Sequence, residues 1–326
     1  MKILVTGACG QIGSELIPYL RERYGRENVI ATDIDLEKLR GFEEPKYYLD
    51  ITDREQIDKV IEETNIDTII HLAAILSAKG ERNPDLAWRV NVLGLHNILE
   101  SAREHSIKKI FIPSSIAVFG PETPDNPGDI TIMRPKTLYG ISKVLAELLG
   151  EYYFYKYDID IRGLRLPGVI SWKNPPGGGT TDYAVEAFFE AVRRGEYVFW
   201  VRPDTTLPMI YMPDVLRAIT QLLEANRNKL TLRFYNVQGM SFSAQELADV
   251  IKKYIPNFKA SFDPDPLRQR IADSWPKRID DSMARKDWGW RPEWGLEEMA
   301  HDMIVNIRRL LIRGELENIS FKKYFY

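Results

Sequence analysis

The run Gly7-Ala8-Cys9-Gly10-Gln11-Ile12-Gly13 directly follows the short apolar run Lys2-Ile3-Leu4-Val5-Thr6. A strand that passes through closely spaced glycines into a helix leaves few folds open. Glycine permits a tight turn and a close approach to a diphosphate, and the helix N-terminus adds free N–H groups and a positive dipole end. The spacing is G-x-x-G-x-x-G rather than G-x-G-x-x-G, and a glycine turn taken alone also serves as a plain connector.

The pattern downstream bears on that choice. Strands are expected at Asn28 to Asp33, Thr68 to Leu72, Lys109 to Pro113 and Asp160 to Arg165, and helices at Gln11 to Arg23, Ile57 to Glu63, Pro84 to Glu104 and Ser142 to Tyr157. Apolar runs without polar alternation are strands buried on both faces, and strands alternating with helices make a doubly wound parallel α/β sheet of Rossmann type. After Leu166-Pro167-Gly168 the chain becomes rich in Pro and Gly, and a strand at Phe234 to Val237 and a helix at Ser243 to Tyr254 follow. We expect a dinucleotide-binding domain over 1–167 with a return segment over about 208–238. A smaller C-terminal α/β substrate-binding part takes 168–207 and 239–318, and 319–326 form a tail.

Asp33 closes the second strand roughly 20 residues beyond the glycines, where a carboxylate binds ribose hydroxyls and repels a 2′-phosphate. NAD is therefore expected rather than NADP, although Asp33 would also serve as a turn or cap residue. Gly7, Gly10, Gln11, Ile12 and Gly13 face the diphosphate in this reading. Asp50 and Ile51 are candidates for the adenine side, and Leu72-Ala73-Ala74 offers small residues against which a cofactor can lie.

Tyr139-Gly140-Ile141-Ser142-Lys143 places a phenol and an ammonium on one helical face. A free tyrosine titrates near pH ~10, and bringing it down by ~3 pH units takes ~4 kcal/mol, within reach of close positive charges. Tyr139 is thus a candidate base with Lys143 as its helper. Ser114 and Ser115 follow a strand end, where ligands of parallel sheets bind; Ser115 is preferred as the group that orients the reacting oxygen, and a cap or turn role fits either serine. Asn91 lies on the long helix, where a solvated or capping amide is the plain alternative.

Other classes find little support. The chain has 326 residues, a formal net charge of -3, 44% hydrophobic and 28% charged residues. That balance argues against a general nucleic-acid binder. One cysteine, Cys9, and four dispersed histidines are poor material for a metal site, so none is expected. No apolar run reaches the ~20 residues that span a bilayer, and a cytoplasmic location is expected.

Together Gly7 to Gly13, Asp33, His71 to Ala74, Asn91, Ser114 to Gly120 and Tyr139 to Lys143 resemble the extended short-chain dehydrogenase/reductase superfamily. The resemblance implies NAD, a Ser–Tyr–Lys site, hydride transfer at a carbon bearing a hydroxyl, and Asn91 as a helper in a proton relay. Leu166 to Ser171, Pro176 to Ala184, Ser274-Trp275-Pro276, Asp280 to Ser282 and Asp287 to Trp290 look like the L-threonine 3-dehydrogenase family within it. Leu166, expected on the cofactor, stands where that pattern often has an aromatic. The implied reaction oxidises the L-threonine hydroxyl to give L-2-amino-3-oxobutanoate and NADH. Ser115 and Tyr139 would hold the reacting oxygen. Ser77, Gly179, Thr180 and Thr181 would bind the carboxylate, hydroxyls and glycine N–H groups being suited to it. Trp288 fits either a cover for the pocket or core packing. A homodimer through helices including that of Tyr139 is implied as well. The alternative is a nucleotide-sugar 4-epimerase or dehydratase that retains tightly held NAD.

Overall fold

The computed structural model describes residues 1–174 and 178–315. Pro176, Gly177 and the tail at 319–326 lie outside the described residues.

Twelve strands follow in chain order: β1 Ile3–Thr6, β2 Val29–Asp33, β3 Lys46–Tyr48, β4 Thr68–His71, β5 Lys109–Ser115, β6 Asp160–Leu166, β7 Gly168–Ile170, β8 Glu196–Phe199, β9 Thr206–Tyr211, β10 Phe234–Asn236, β11 Met240–Ser243 and β12 Lys259–Phe262. Seven of them form one sheet in the order β10-β6-β5-β4-β1-β2-β3. Every pairing in it is parallel, with Ile3 opposite both Val29 and Thr68 and with Lys109 to Ser115 running beside Asp160 to Leu166. This is the doubly wound Rossmann-type sheet that the alternation predicts.

Each strand feeds both faces. Ile3 and Val5 pack with Leu16, Ile17 and Leu20 of the helix Gln11–Tyr24 and with Val215, Ile219 and Leu222 of the helix Met212–Glu224. Leu4, Ile69 and Ile110 pack on the other side, with Ile57 and Ile61 of the helix Arg54–Thr64 and with Ile98 and Leu99 of the helix Leu95–Glu104. The core is thus two apolar layers around one sheet, as expected when period-2 side chains are buried on both faces.

The chain returns to this sheet at β10, beside β6. Close approach makes it possible: a Cβ on Gly163 would lie 2.2 Å from the Phe234 ring. β9 pairs with β7 and β11 in a separate three-stranded sheet, so the boundary expected at 207/208 falls inside a strand. A third core holds the helix Tyr183–Arg194, the helix Ala244–Tyr254 and the final helix Leu296–Ile312.

Three helices differ from the sequence reading, one of them, Arg54–Thr64, mainly by starting three residues before the expected Ile57. The helix that carries Tyr139 runs Leu138–Tyr157, four residues longer at its start than expected, because Thr137 caps it by accepting from Gly140 N at 3.1 Å. The segment read as one helix from Pro84 to Glu104 contains a π-helical turn, Arg89–Gly94. Asn91 sits in that turn, and its side chain exchanges two hydrogen bonds with the Ile75 backbone, at 2.7 and 2.9 Å.

Candidate active site

A cleft of about 230 Å³ opens at the C-terminal ends of β1, β4, β5 and β6. Its cofactor end is built by the turn after β1. Gly7 has φ +69°, and a Cβ there would lie 2.7 Å from Ala73 N; a Cβ on Gly13 would lie 2.4 Å from Gly7 O. Only glycines allow the turn to nest this closely on β4 and on itself. The helix Gln11–Tyr24 begins with Gly10 as its cap, without a capping side chain or an acidic residue in its first turn. Its leading end therefore faces the cleft as an anion site. The buried Gln11 amide nitrogen has no protein partner.

Asp33 joins this turn from β2. Its carboxylate accepts from Cys9 N at 2.9 Å and from Asp35 N at 3.0 Å. A glycine cradle, an open helix end, an orphaned amide donor and a carboxylate 20-odd residues on fit a dinucleotide. Leu72, Ala74 and Leu166 line the cleft, while Ala73 packs behind it. Asp50 and Ile51 do not line it. Asp50 accepts from Thr52 N and Oγ1 in a turn, at 2.9 and 2.8 Å, and Ile51 is buried among apolar neighbours.

Tyr139, Lys143, Ser114 and Ser115 meet at the middle of the cleft. Lys143 Nζ donates to Pro113 O at 2.7 Å and stands 5.5 Å from the centre of the Tyr139 ring. Withdrawal from water pushes the Tyr139 phenol up to about 12, against a hydrogen bond from Ser115 that lowers it. This differs from the depressed value expected of the Tyr–Lys pair. Desolvation outweighs the help available from the protein's own groups, the ammonium being turned to the Pro113 carbonyl. Withdrawal from water also brings Lys143 down to about 8, opposed by Glu147.

The two serines part company. Ser115 Oγ accepts from Ala117 N at 3.2 Å and bonds to Tyr139. Ser114 Oγ donates to Glu147 at 2.5 Å, inside a buried ion pair of Glu147 with Arg165. Asn91 is outside the cleft lining; it reaches Ser142 Oγ at 3.4 Å and fastens the segment after β4 to the Tyr139 helix. His71, whose Nδ1 is 2.9 Å from Thr6 Oγ1, is pushed down to about 3 by burial and then by Lys143, which keeps it neutral.

Ser77, Gly179, Thr180 and Thr181 gather at the far end. Thr180 is buried and its hydroxyl has no protein partner. The Gly178 and Gly179 N–H groups, expected to be free for a ligand, donate instead to Asp182 at 2.8 and 2.7 Å. Withdrawal from water raises the Asp182 carboxyl to about 7 despite these bonds. Asp182 and Trp275 also line the cleft and were not singled out as site residues in the sequence reading. An acidic residue beside paired threonines was the available signal for the first, and the Ser274-Trp275-Pro276 run for the second. Trp288 packs in the core with Tyr235 and Trp290. Among the described residues, no three His, Cys, Asp or Glu side chains converge to hold a metal.

Comparison with known proteins matches residues 3–237 to the NAD dependent epimerase/dehydratase family. A Bos taurus protein named L-threonine 3-dehydrogenase, mitochondrial, is 47% identical over 93% of this chain and 82% of its own length. The structure of L-threonine dehydrogenase from Clostridium difficile superposes with a TM-score of 0.92 at 44% identity, over 98% of this chain and 99% of the other. A monomeric L-threonine 3-dehydrogenase from a metagenome gives a TM-score of 0.91 at 47% identity, over 94% and 99%.

Proposed function

The chain belongs to the NAD dependent epimerase/dehydratase family, and on that premise we propose that it is an NAD-dependent oxidoreductase that converts L-threonine to L-2-amino-3-oxobutanoate. One observation carries the substrate assignment. Among the described residues, the cleft has a single lining carboxyl group, Asp182, set among the hydroxyls of Ser77, Thr180 and Thr181, with Tyr139 and Ser115 adjoining. A zwitterionic hydroxy-amino acid needs this set: a negative group for its ammonium, hydroxyls for its carboxylate, and a base for its hydroxyl.

The chemistry follows from the placement. NAD, when bound, supplies the acceptor for hydrogen with its electron pair and a positive charge that favours phenolate. Gly7, Gly10, Gln11, Ile12 and Gly13 would hold the diphosphate, and Asp33 the ribose. Tyr139 takes the hydroxyl proton of the substrate; with NAD as the hydride acceptor the overall products would be the ketone, NADH and a proton. Ser115 orients the substrate oxygen through the bond it already shares with Tyr139. Lys143 contributes positive charge from its seat on Pro113 O. Asn91 acts at one remove, by fixing the backbone after β4.

We propose further that the protein pairs as a homodimer through the helix Leu138–Tyr157. Its Ile141, Leu148, Tyr152 and Tyr155 are exposed, and a face this apolar favours a symmetric partner; light scattering on the eluted protein reads its mass. A cytoplasmic location is part of the same reading, resting on a lone cysteine. Among the described residues no helix is long and apolar enough to cross a membrane.

The test mixes purified protein, NAD and L-threonine and follows NADH absorbance, with NADP and L-serine as controls. Threonine-dependent NADH is the expected result. Silence with NAD bound would overturn the assignment and make nucleotide sugars the next substrates.

A further inference from the structure

Three consecutive residues at the end of β5 engage three successive turns of the catalytic helix. Ser115 bonds to Tyr139, the Pro113 carbonyl accepts from Lys143 at 2.7 Å, and Ser114 donates to Glu147 at 2.5 Å. Positions 139, 143 and 147 are spaced by four and share one helical face. Tyr139 and Lys143 line the cleft, whereas Glu147 lies behind them and is 2% exposed. Arg165 on β6 grips Glu147 with two bonds, at 2.8 and 2.6 Å, and donates onward to Asp129 O at 2.8 Å.

We propose that Glu147 is a positioning residue of this reaction, whose carboxylate, fixed by Ser114 and Arg165, keeps Lys143 in its cationic form against Pro113 O. The argument rests on the reading of Tyr139 and Lys143 given above. A buried ammonium loses its proton readily unless an anion is near. Glu147 is the carboxylate that opposes the fall of Lys143 to about 8. A neutral Lys143 would leave Tyr139 without the protein's own positive charge.

The other groups around this helix do not replace it. His71, from β4, is held neutral. Arg165, from β6, and Lys143 itself are both cationic. Asp129 meets Arg165 through its carbonyl. Glu151 is one turn further along the helix, raised by burial and then by Glu147. Glu81 accepts from Leu138 N at the first turn, and Glu100 bonds Tyr153 near the far end.

The test titrates Lys143 directly by carbon NMR of the protein labelled at lysine Cε, without NAD or threonine, the resonance being assigned by its loss in Lys143→Met. In Glu147→Gln the Lys143 midpoint should fall by about one pH unit or more. With NAD and threonine present, the variant's activity relative to the parent should then decline as pH rises from 7 to 9. If Glu147→Gln does not fold, with Arg165 left buried and unpaired, the double variant Glu147→Gln/Arg165→Gln is compared with Arg165→Gln alone, so that the Arg165 charge is absent from both, and the Lys143 midpoint should again fall by about one pH unit or more. An unchanged Lys143 midpoint in Glu147→Gln against the parent, or in the double variant against Arg165→Gln, overturns the proposal. A failure of the threonine assignment is read separately, as absent NADH formation by the parent protein, and leaves this titration interpretable.

Discussion

The backbone N–H of Cys9 donates to the side chain of Asp33 at 2.9 Å, so the glycine turn and the end of β2 are one unit. The carboxylate that is to meet a ribose also shapes the loop that is to meet the diphosphate. Asp33→Ala should therefore weaken NAD binding by about tenfold or more, the worth of one or two hydrogen bonds to a charged group. It should also narrow the preference for NAD over NADP. Fluorescence titrations with both nucleotides measure this; an unaltered NAD affinity would remove Asp33 from the site.

Tyr139→Phe deletes one oxygen from the middle of the cleft. Turnover should drop by about 10²–10⁴-fold, the usual worth of a positioned acid or base, while NAD affinity stays within about twofold of the parent. A variant that keeps full activity would sink the assignment of the base.

Thr180 carries a buried hydroxyl that no protein group satisfies. Thr180→Val keeps its shape and sacrifices no internal hydrogen bond, so the melting temperature should not fall. The KM for threonine should rise about tenfold, the cost of one bond to a carboxylate, with a smaller change in kcat. An unchanged KM would move the carboxylate elsewhere.

His71 gives a stability prediction with a definite sign. Burial holds it near 3 in the folded protein against an ordinary value of 6.5. Between those values the unfolded chain binds the extra proton, so stability is lost as pH falls below about 6.5. His71 alone should account for about 2 kcal/mol of loss between pH 7 and pH 5. Urea melts of the parent and His71→Asn at both pH values isolate it, because carboxylate contributions cancel in the comparison. Equal pH slopes in the two proteins would contradict the burial argument.

The lack of a convergent donor set among the described residues leads to one more expectation. Incubation with a strong chelator should leave threonine-dependent NADH formation unaltered; its loss, restored by a divalent metal, would count against the Tyr139 mechanism.

What the sequence made legible was local. The glycine turn, the apolar strands and the spacing of Tyr139 and Lys143 each need only a short window. Periodicity over Pro84 to Glu104 showed a helix but not the π turn at Arg89–Gly94, since one extra residue per turn leaves the apolar pattern almost intact. The Tyr139 helix was expected too late because its cap, Thr137, lies ahead of the apolar run that marks the helix. Ser114 and Ser115 are neighbours of one type in sequence. Their different partners, Glu147 and Tyr139, lie on a helix 24 or more positions away, so no local window tells the two apart. Trp275 lines the cleft beside residues more than 90 positions earlier in the chain, a proximity that no local pattern encodes. The upward push on the Tyr139 phenol by the protein's own groups could not be read from a short window, because desolvation is a property of the assembled site.

The late arrival of β10 at the edge of the large sheet has a consequence for synthesis. On the ribosome, β6 emerges with one side unpaired and waits for Phe234–Asn236, about 70 residues and several seconds of elongation later. Through that interval the edge beside Arg165 is an open template for another nascent chain. Truncations ending between β6 and β10 should be captured by chaperones or aggregate, whereas release beyond Asn236 closes the edge from within.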